Sequence, residues 1–242
     1  MSMHQEMRKQ LNNQKGFTLI EIAIVLVIIG LLLGGVLKGQ ELINTARVRA
    51  LNNTVDGITA AWFSFQDRYR SFPGDYLQAR AIVNLPGVTA GGDGNGQVAT
   101  AAERALAWVH MEAAGYITGG YSDSTATIPD ANLYVCSTLL CPDNSFGSGM
   151  VISHGLLQTS ATAATAAAHE LITGQGIPVD VLAELDRKVD DGIAGTGLMQ
   201  IGAGGTTWTT TEEDACISVI GTVSEYQLQT PSDNCAAVFR NF

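Results

Sequence analysis

The chain is short of charge, of proline and of cysteine, and each shortage excludes something. Only 15% of its 242 residues are charged while 46% are apolar, which fits neither a disordered chain nor a charged binding tail. Bases are the scarcer sign, 13 against 23 acids for a net charge of −10, so contact with a phosphate backbone is not its main activity and no nucleic-acid partner is expected. Six prolines stand against 27 glycines with no three-residue period, which excludes collagen and points to a loop-rich fold. Catalytic signals are equally thin. Ser148 lies in Gly-Ser-Gly without the flanking pattern of a nucleophile elbow, and His110, His154 and His169 are scattered. No catalytic residue is expected, and the chain does not read as an enzyme. Its length suits one domain, or one domain with an appendage.

What is present is concentrated at the front. From Phe17 to Leu37 the single formal charge is Glu21, and fifteen of these 21 residues are Leu, Ile, Val or Phe. At about 1.5 Å per residue a helix of this length spans about 30 Å, the thickness of a bilayer core. The apolar side chains contribute several kcal/mol toward insertion, more than the roughly 3 kcal/mol that one central acid opposes, and Glu21 lies near one end. The preceding residues carry Arg8, Lys9 and Lys15 against Glu6, a basic leader that stays cytoplasmic. An ordinary secretory signal has a shorter apolar core and a small-residue cleavage site, whereas Lys38-Gly39-Gln40-Glu41 follows here.

The junction reads Lys15-Gly16-Phe17-Thr18-Leu19-Ile20-Glu21. It resembles the signature of type IV pilins and type II secretion pseudopilins, over about 25 residues of the chain. The resemblance implies a prepilin peptidase cutting after Gly16, N-methylation of Phe17, and Glu21 as the acid that acts in filament assembly. Physical chemistry points the same way, because a carboxylate in an apolar span needs a partner. Cleavage creates one, a free amine on Phe17, and pairing with the Glu21 of an adjacent subunit would fix axial register. The competing reading is a carboxylate that snorkels to the interface. Gly30, Gly34, Gly35 and Gly39 form two Gly-x-x-x-Gly pairs, a spacing that lets helix backbones approach closely. The stretch has no proline, in contrast to many type IV pilins, so any local unwinding must rest on these glycines.

Beyond Lys38 the pattern remains helical and becomes amphipathic. Val48, Leu51, Val55, Ile58, Trp62, Phe65 and Tyr69 fall at alternating spacings of 3 and 4, a stripe suited to packing on the chain's own sheet. Phe72-Pro73-Gly74-Asp75 is the breaker. The expected organisation is a cytoplasmic leader at 1–16, a long helix at 17–70 that is transmembrane to about 37, and an exported head at 71–242. In the head, Thr100-Ala-Ala-Glu103 reads as a capping box opening a helix that ends near Gly115, and Ile177-Pro178 opens another. Residues 161–172 are Ala-rich and read as a further helix. Strands are expected at 132–137, 150–153, 198–202, 215–220, 224–229 and 236–240. The fold class is α+β, and the resemblance implies a type IV pilin-like layout with the long helix packed on a C-terminal antiparallel sheet.

Cys136, Cys141, Cys216 and Cys235 all follow the apolar segment, on the non-cytoplasmic side, and allow three pairings. Local spacing favours Cys136–Cys141 and Cys216–Cys235, and the second resembles the C-terminal disulfide loop of many type IV pilins. Zinc is the rival reading, but no second close ligand pair accompanies the cysteines. Two acidic stretches invite a calcium reading, since some pseudopilins bind calcium: residues 91–97 with Asp93 and Asn95, and Asp186, Asp190 and Asp191 before Gly192. The first fails the EF-hand pattern, with Val98 where glycine and Arg104 where glutamate is required. Turn chemistry explains both stretches, so no cofactor is expected.

The readings implied are a major or minor subunit of a pilus-like filament, a pseudopilin of a secretion machine, or an anchored binding domain that never polymerises. The partners of the first are the prepilin peptidase, other copies or related pilins, the bacterial inner membrane and the assembly machinery. The chain would cross that membrane once, N-terminus inside, before joining an extracellular or periplasmic filament.

Overall fold

The computed structural model describes residues 17–79, 88, 90–121, 127–128, 133–155, 167–202, 215–220, 223–240 and 242. Three helices are present among them: α1 (Leu19–Tyr69), α2 (Ala101–Ala113) and α3 (Val179–Val189). The strands are β1 (Val151–Gly155), β2 (Ala168–Ile172), β3 (Met199–Ile201), β4 (Ile217–Ile220), β5 (Val223–Tyr226) and β6 (Ala237–Phe239). Four form an antiparallel sheet in the order β1-β2-β6-β3, and β4 with β5 forms a separate antiparallel pair. A long N-terminal helix followed by a late antiparallel sheet is the α+β layout expected, consistent with a type IV pilin-like fold.

The chain divides between Ala46 and Arg47 into two compact units. The head unit therefore begins inside α1 rather than at the helix end. The reason is the amphipathic stripe: Val48, Leu51, Val55, Ile58, Ala61, Trp62 and Phe65 are all buried. Trp62 packs against the rings of Phe72, His169 and Phe242 at centroid distances of 5.4, 5.2 and 5.9 Å. Phe65 does the same with Tyr69, Tyr76 and His110. The helix stops before Pro73 is reached, because Arg70 turns left-handed at φ 55° while its N–H still bonds the Gln66 carbonyl. Gly74 then approaches α2 so closely that a Cβ on it would lie 2.4 Å from the Glu103 carbonyl oxygen. No other residue fits there.

Two expected elements are corrected. Residues 133–137 form no strand: the Tyr134 carbonyl accepts from the Gln175 N–H and the Ser148 hydroxyl and the Cys136 carbonyl from the Gly149 N–H, with no ladder, as the short Cys136–Cys141 loop turns the chain. Residue 132 lies outside the described residues. The Ala-rich 161–172 stretch is also not a helix where it is described, since Ala168–Ile172 is β2, with 161–166 outside the described residues. Strand β2 is flanked by β1 and β6 and buried from His169 to Ile172, so ladder pairing on both sides overrides alanine's local preference.

His169 makes the head acid-sensitive. It is buried between Trp62, Phe72 and His154, and its Nε2 accepts the Val98 N–H at 3.1 Å. Burial, with the neighbouring His154, pushes its pKa down to about 4. The unfolded chain therefore binds the proton more tightly, so stability present above about pH 6.5 is lost as pH falls toward 4, by about 3 kcal/mol. Asp186 works in the opposite direction, its carboxyl raised to about 6 by burial first. Comparing wild type with His169→Gln, which keeps an acceptor near Nε2, isolates the histidine. Urea unfolding of the full chain in detergent is expected to lose stability less steeply between pH 6.5 and 4 in the variant; equal slopes would refute the assignment.

The disulfides join Cys136 to Cys141 and Cys216 to Cys235. The second closes a separation of 19 residues, linking the start of β4 to Cys235, which bridges Ile177 ahead of α3. Loop closure of that size is worth about 3 kcal/mol. Cys216→Ser is expected to destabilise the head by about 2–5 kcal/mol without preventing membrane insertion. Equal melting of wild type and variant would show the bridge to be thermodynamically silent.

Candidate functional site

The N-terminal motif is a helix start built in an apolar run. Gly16, the proposed cleavage position, lies outside the described residues. Phe17 is 83% exposed, and Thr18 immediately precedes α1. Glu21 folds back on Thr18: its Oε2 accepts both the Thr18 N–H and the Thr18 hydroxyl at 2.8 Å, while the Glu21 N–H donates to Thr18 Oγ1 at 3.3 Å. This is a reciprocal capping box, and it satisfies two of the amide donors that a helix leaves open at its start. Sequence reasoning missed this role for Glu21. Thr-x-x-Glu directly before an apolar run was the signal that could have found it.

Along α1 the large apolar side chains from Leu19 to Leu37 are all exposed, from 45% at Ile29 to 92% at Leu19. By length and composition the helix is long and apolar enough to cross a membrane. Gly30, Gly34, Gly35 and Gly39 have no neighbouring atom within 4 Å of where a Cβ would stand, so the surface at each is open. An exposed apolar helix with open glycine positions is suited to lipid or to another helix, because small residues permit close backbone approach.

The head holds two acidic groups that the structure treats differently. Asp75, Asp93 and Glu103 bring one carboxylate oxygen each within 4.8 Å of the others. Asp75 is buried, with Oδ1 accepting from the Gly94 and Asn95 N–H groups and Oδ2 from Gly96. Glu103 accepts from Asp93 on one oxygen and from Ala99 and Thr100 on the other, completing the capping box of α2. Asp93 accepts from the backbone and side chain of Asn95, whose own Oδ1 accepts from Gln97. All six carboxylate oxygens thus meet N–H donors, which point positive charge into the cluster and make it a clamp on the glycine-rich loop. Burial still holds the Asp75 carboxyl above the usual range, against the pull of the Gly96 and Gly94 N–H groups. The sequence placed Asp93 and Asn95 in this loop but did not connect Asp75 or Glu103 to it.

The second group is Asp186, Asp190 and Asp191, again with one oxygen from each within 4.8 Å of the others. Asp186 is buried on α3, and the other two stand where α3 ends. Among the described residues the histidines form no site. His110 Nδ1 accepts the Gly74 N–H at 2.9 Å, and its Nε2 faces the Ala90 carbonyl at 3.2 Å, so it latches the Pro73-Gly74 turn to α2.

Residues 11–37 match the family model for the prokaryotic N-terminal methylation motif. No curated protein and no solved structure matches the chain. The motif belongs to structural subunits rather than to an enzyme family, and it implies processing by a prepilin peptidase and assembly into a filament at the membrane. With a long apolar helix behind the motif and an antiparallel head beyond it, the chain carries at residues 11–37 the prepilin-type leader of type IV pilins and pseudopilins.

Proposed function

We propose that the chain is a subunit, major or minor, of a type IV pilus-like filament assembled from the bacterial inner membrane. The prepilin peptidase cuts between Gly16 and Phe17, Phe17 is N-methylated, and the first half of α1 passes from lipid into a bundle of like helices. The observation that carries this reading is Glu21, the single charge between Phe17 and Leu37. A carboxylate in hydrocarbon is costly, and a subunit bearing one gains by moving to a place where it is paired. Both Thr18 bonds fall on Oε2. That leaves Oε1 for the Phe17 amine of a neighbouring subunit, a pair that sets axial register. Gly30, Gly34, Gly35 and Gly39 then admit neighbouring backbones, and the head with its two disulfides faces outward.

Cleavage after Gly16 removes three bases and one acid, leaving 226 of the 242 residues and taking the net charge from −10 to −12. Intact-mass analysis of the membrane-extracted protein is expected to show Phe17, methylated, at the N-terminus. A start beyond residue 37 would refute the prepilin reading altogether.

Assembly is tested at matched membrane levels of processed subunit, scoring sheared extracellular filaments. Glu21→Val is expected to insert and be cleaved normally but to assemble poorly. Because it also removes the capping acceptor, worth about 1 kcal/mol at a helix start, Glu21→Gln is the decisive companion. Glutamine keeps the bond to Thr18 and loses the charge, so it too should assemble poorly. Wild-type filament yield from Glu21→Gln would reduce Glu21 to a helix cap. Processed wild-type protein confined to the periplasm, with no surface filaments, would favour the pseudopilin of a secretion system instead. Processed protein that forms no filament in either place would make it an anchored binding domain.

A further inference from the structure

Asn95-Gly96 is the one place in the chain where asparagine precedes glycine. That pair is reactive by construction, because glycine has no side chain to shield its nitrogen from the neighbouring amide carbon. Both residues are exposed, Gly96 takes φ 85°, and the space where its Cβ would stand is open. Sterics therefore do nothing to protect the bond.

Hydrogen bonds do. The Gly96 N–H donates to Oδ2 of the buried Asp75 at 2.9 Å. The Asn95 side chain is held at both ends, with Oδ1 accepting the Gln97 N–H at 2.7 Å and Nδ2 donating to Asp93 Oδ2 at 2.8 Å. Its own N–H is shared between Asp75 Oδ1 at 3.1 Å and Asp93 Oδ1 at 3.0 Å. For the Gly96 nitrogen to attack Asn95 Cγ, it must shed the proton that Asp75 holds. The amide must also swing away from Asp93 and Gln97. An anionic nitrogen formed there would lie beside two carboxylates, which repel it.

We propose that Asn95 is a deamidation site held closed by the Asp75 clamp, and that its conversion unfastens the glycine-rich loop from the turn after α1. The co-reactant is water. The Gly96 nitrogen bonds to Asn95 Cγ, the Cγ–Nδ2 bond breaks, and ammonia leaves with the proton shed by Gly96. Water then adds to one carbonyl of the cyclic imide, returning a proton to the nitrogen. Opening at Cγ leaves aspartate; opening at the main-chain carbonyl leaves isoaspartate, with the backbone running through Cβ. The reaction proceeds from the open loop, so its rate follows the fraction of molecules in which the clamp is broken.

Either product undoes the clamp. Aspartate puts a carboxylate oxygen where Nδ2 donated to Asp93, so like charges meet. Isoaspartate adds a carbon to the main chain between the N–H groups of residues 95 and 96, which then no longer fit the two oxygens of Asp75. The loop joins two helices: Gly92 lies against Asp75, and the Asp93 N–H donates at 3.3 Å to Glu103 in the capping box of α2. Conversion therefore loosens the joint between the end of α1 and the start of α2. The site is a property of the head and holds whether or not the chain polymerises.

The test incubates the purified full chain in detergent at mildly alkaline pH, folded and in urea. Peptide mapping then separates asparagine, aspartate and isoaspartate at each position. In urea, wild type is expected to convert at Asn95 faster than at its other asparagines; folded, it should convert there about tenfold or more slowly than in urea. Folded Asp75→Ala, kept below its melting temperature, should approach the urea rate. Asp75→Asn takes its place if the alanine variant does not fold, since an amide nitrogen cannot accept the Gly96 N–H. Asn95→Asp, one of the two products, is expected to melt about 2–4 °C below wild type. Folded wild type converting at the urea rate would overturn the proposal. So would an Asp75 variant as slow as folded wild type, no preference for Asn95 in urea, or an Asn95→Asp protein that melts like wild type.

Discussion

Trp62 and Phe65 occupy the place on which the rest of the head depends. They sit on the last turns of α1, and the rings around them come from widely separated later segments: Phe72 and Tyr76 from the turn after the helix, His110 from α2, His169 from β2 and Phe242 from the C-terminus. Aromatic side chains remove large areas from water and favour tilted or edge contacts, so one helix face organises segments far apart in sequence. Arg47, the first residue of the head unit, adds a guanidinium 5.4 Å over the Phe146 ring.

The same helix meets two different requirements along its length. Before Ala46 its large apolar side chains are exposed, and after Arg47 those of the stripe are core. Lipid accepts the first arrangement and water the second. Glu21 is the point of conflict in the lipid-suited part, and the capping box with Thr18 eases it by giving the carboxylate local donors. A cap satisfies hydrogen bonds but leaves the charge. The incentive to find an opposite charge in a neighbour is therefore intact, so the cap is compatible with the assembly role proposed for Glu21.

In the head, buried acids serve as fasteners. Asp75 gathers the N–H groups of Gly94, Asn95 and Gly96, and a Cβ on Gly92 would stand 2.3 Å from the Asp75 Cα, so the loop lies directly on the turn that follows α1. The buried Glu170 pairs at 2.9 Å with the partly buried Arg240, fastening β2 to the residue that follows β6. The cost of desolvating two charges offsets much of their attraction, so the net stabilisation by such a pair is small. Arg104, which spoils the calcium pattern in the sequence, is instead a buried connector, donating to Ser153 of β1 and to the Ile128 and Ala99 carbonyls.

The sequence by itself determined whatever depends on neighbours close in the chain. The apolar run, the Gly16-Phe17 junction, the 3–4 stripe from Val48 to Phe65, the capping box at Thr100 and Glu103 and the start of α3 after Pro178 are all set by local spacing, and they carry most of the functional reading. Strand β2 was not legible, because Ala168–Ile172 has no alternation and owes its conformation to ladders with β1 on one side and β6 on the other. The false strand at 133–137 has the converse cause: its β-formers are turned by a disulfide loop whose geometry no propensity reports. Tertiary structure alone decided which acids are satisfied. Asp75 lies 18 residues before Asp93 and Tyr226 lies 40 after Asp186, so whether a carboxylate meets donors or is left with an open oxygen depends on contacts that the local pattern does not encode.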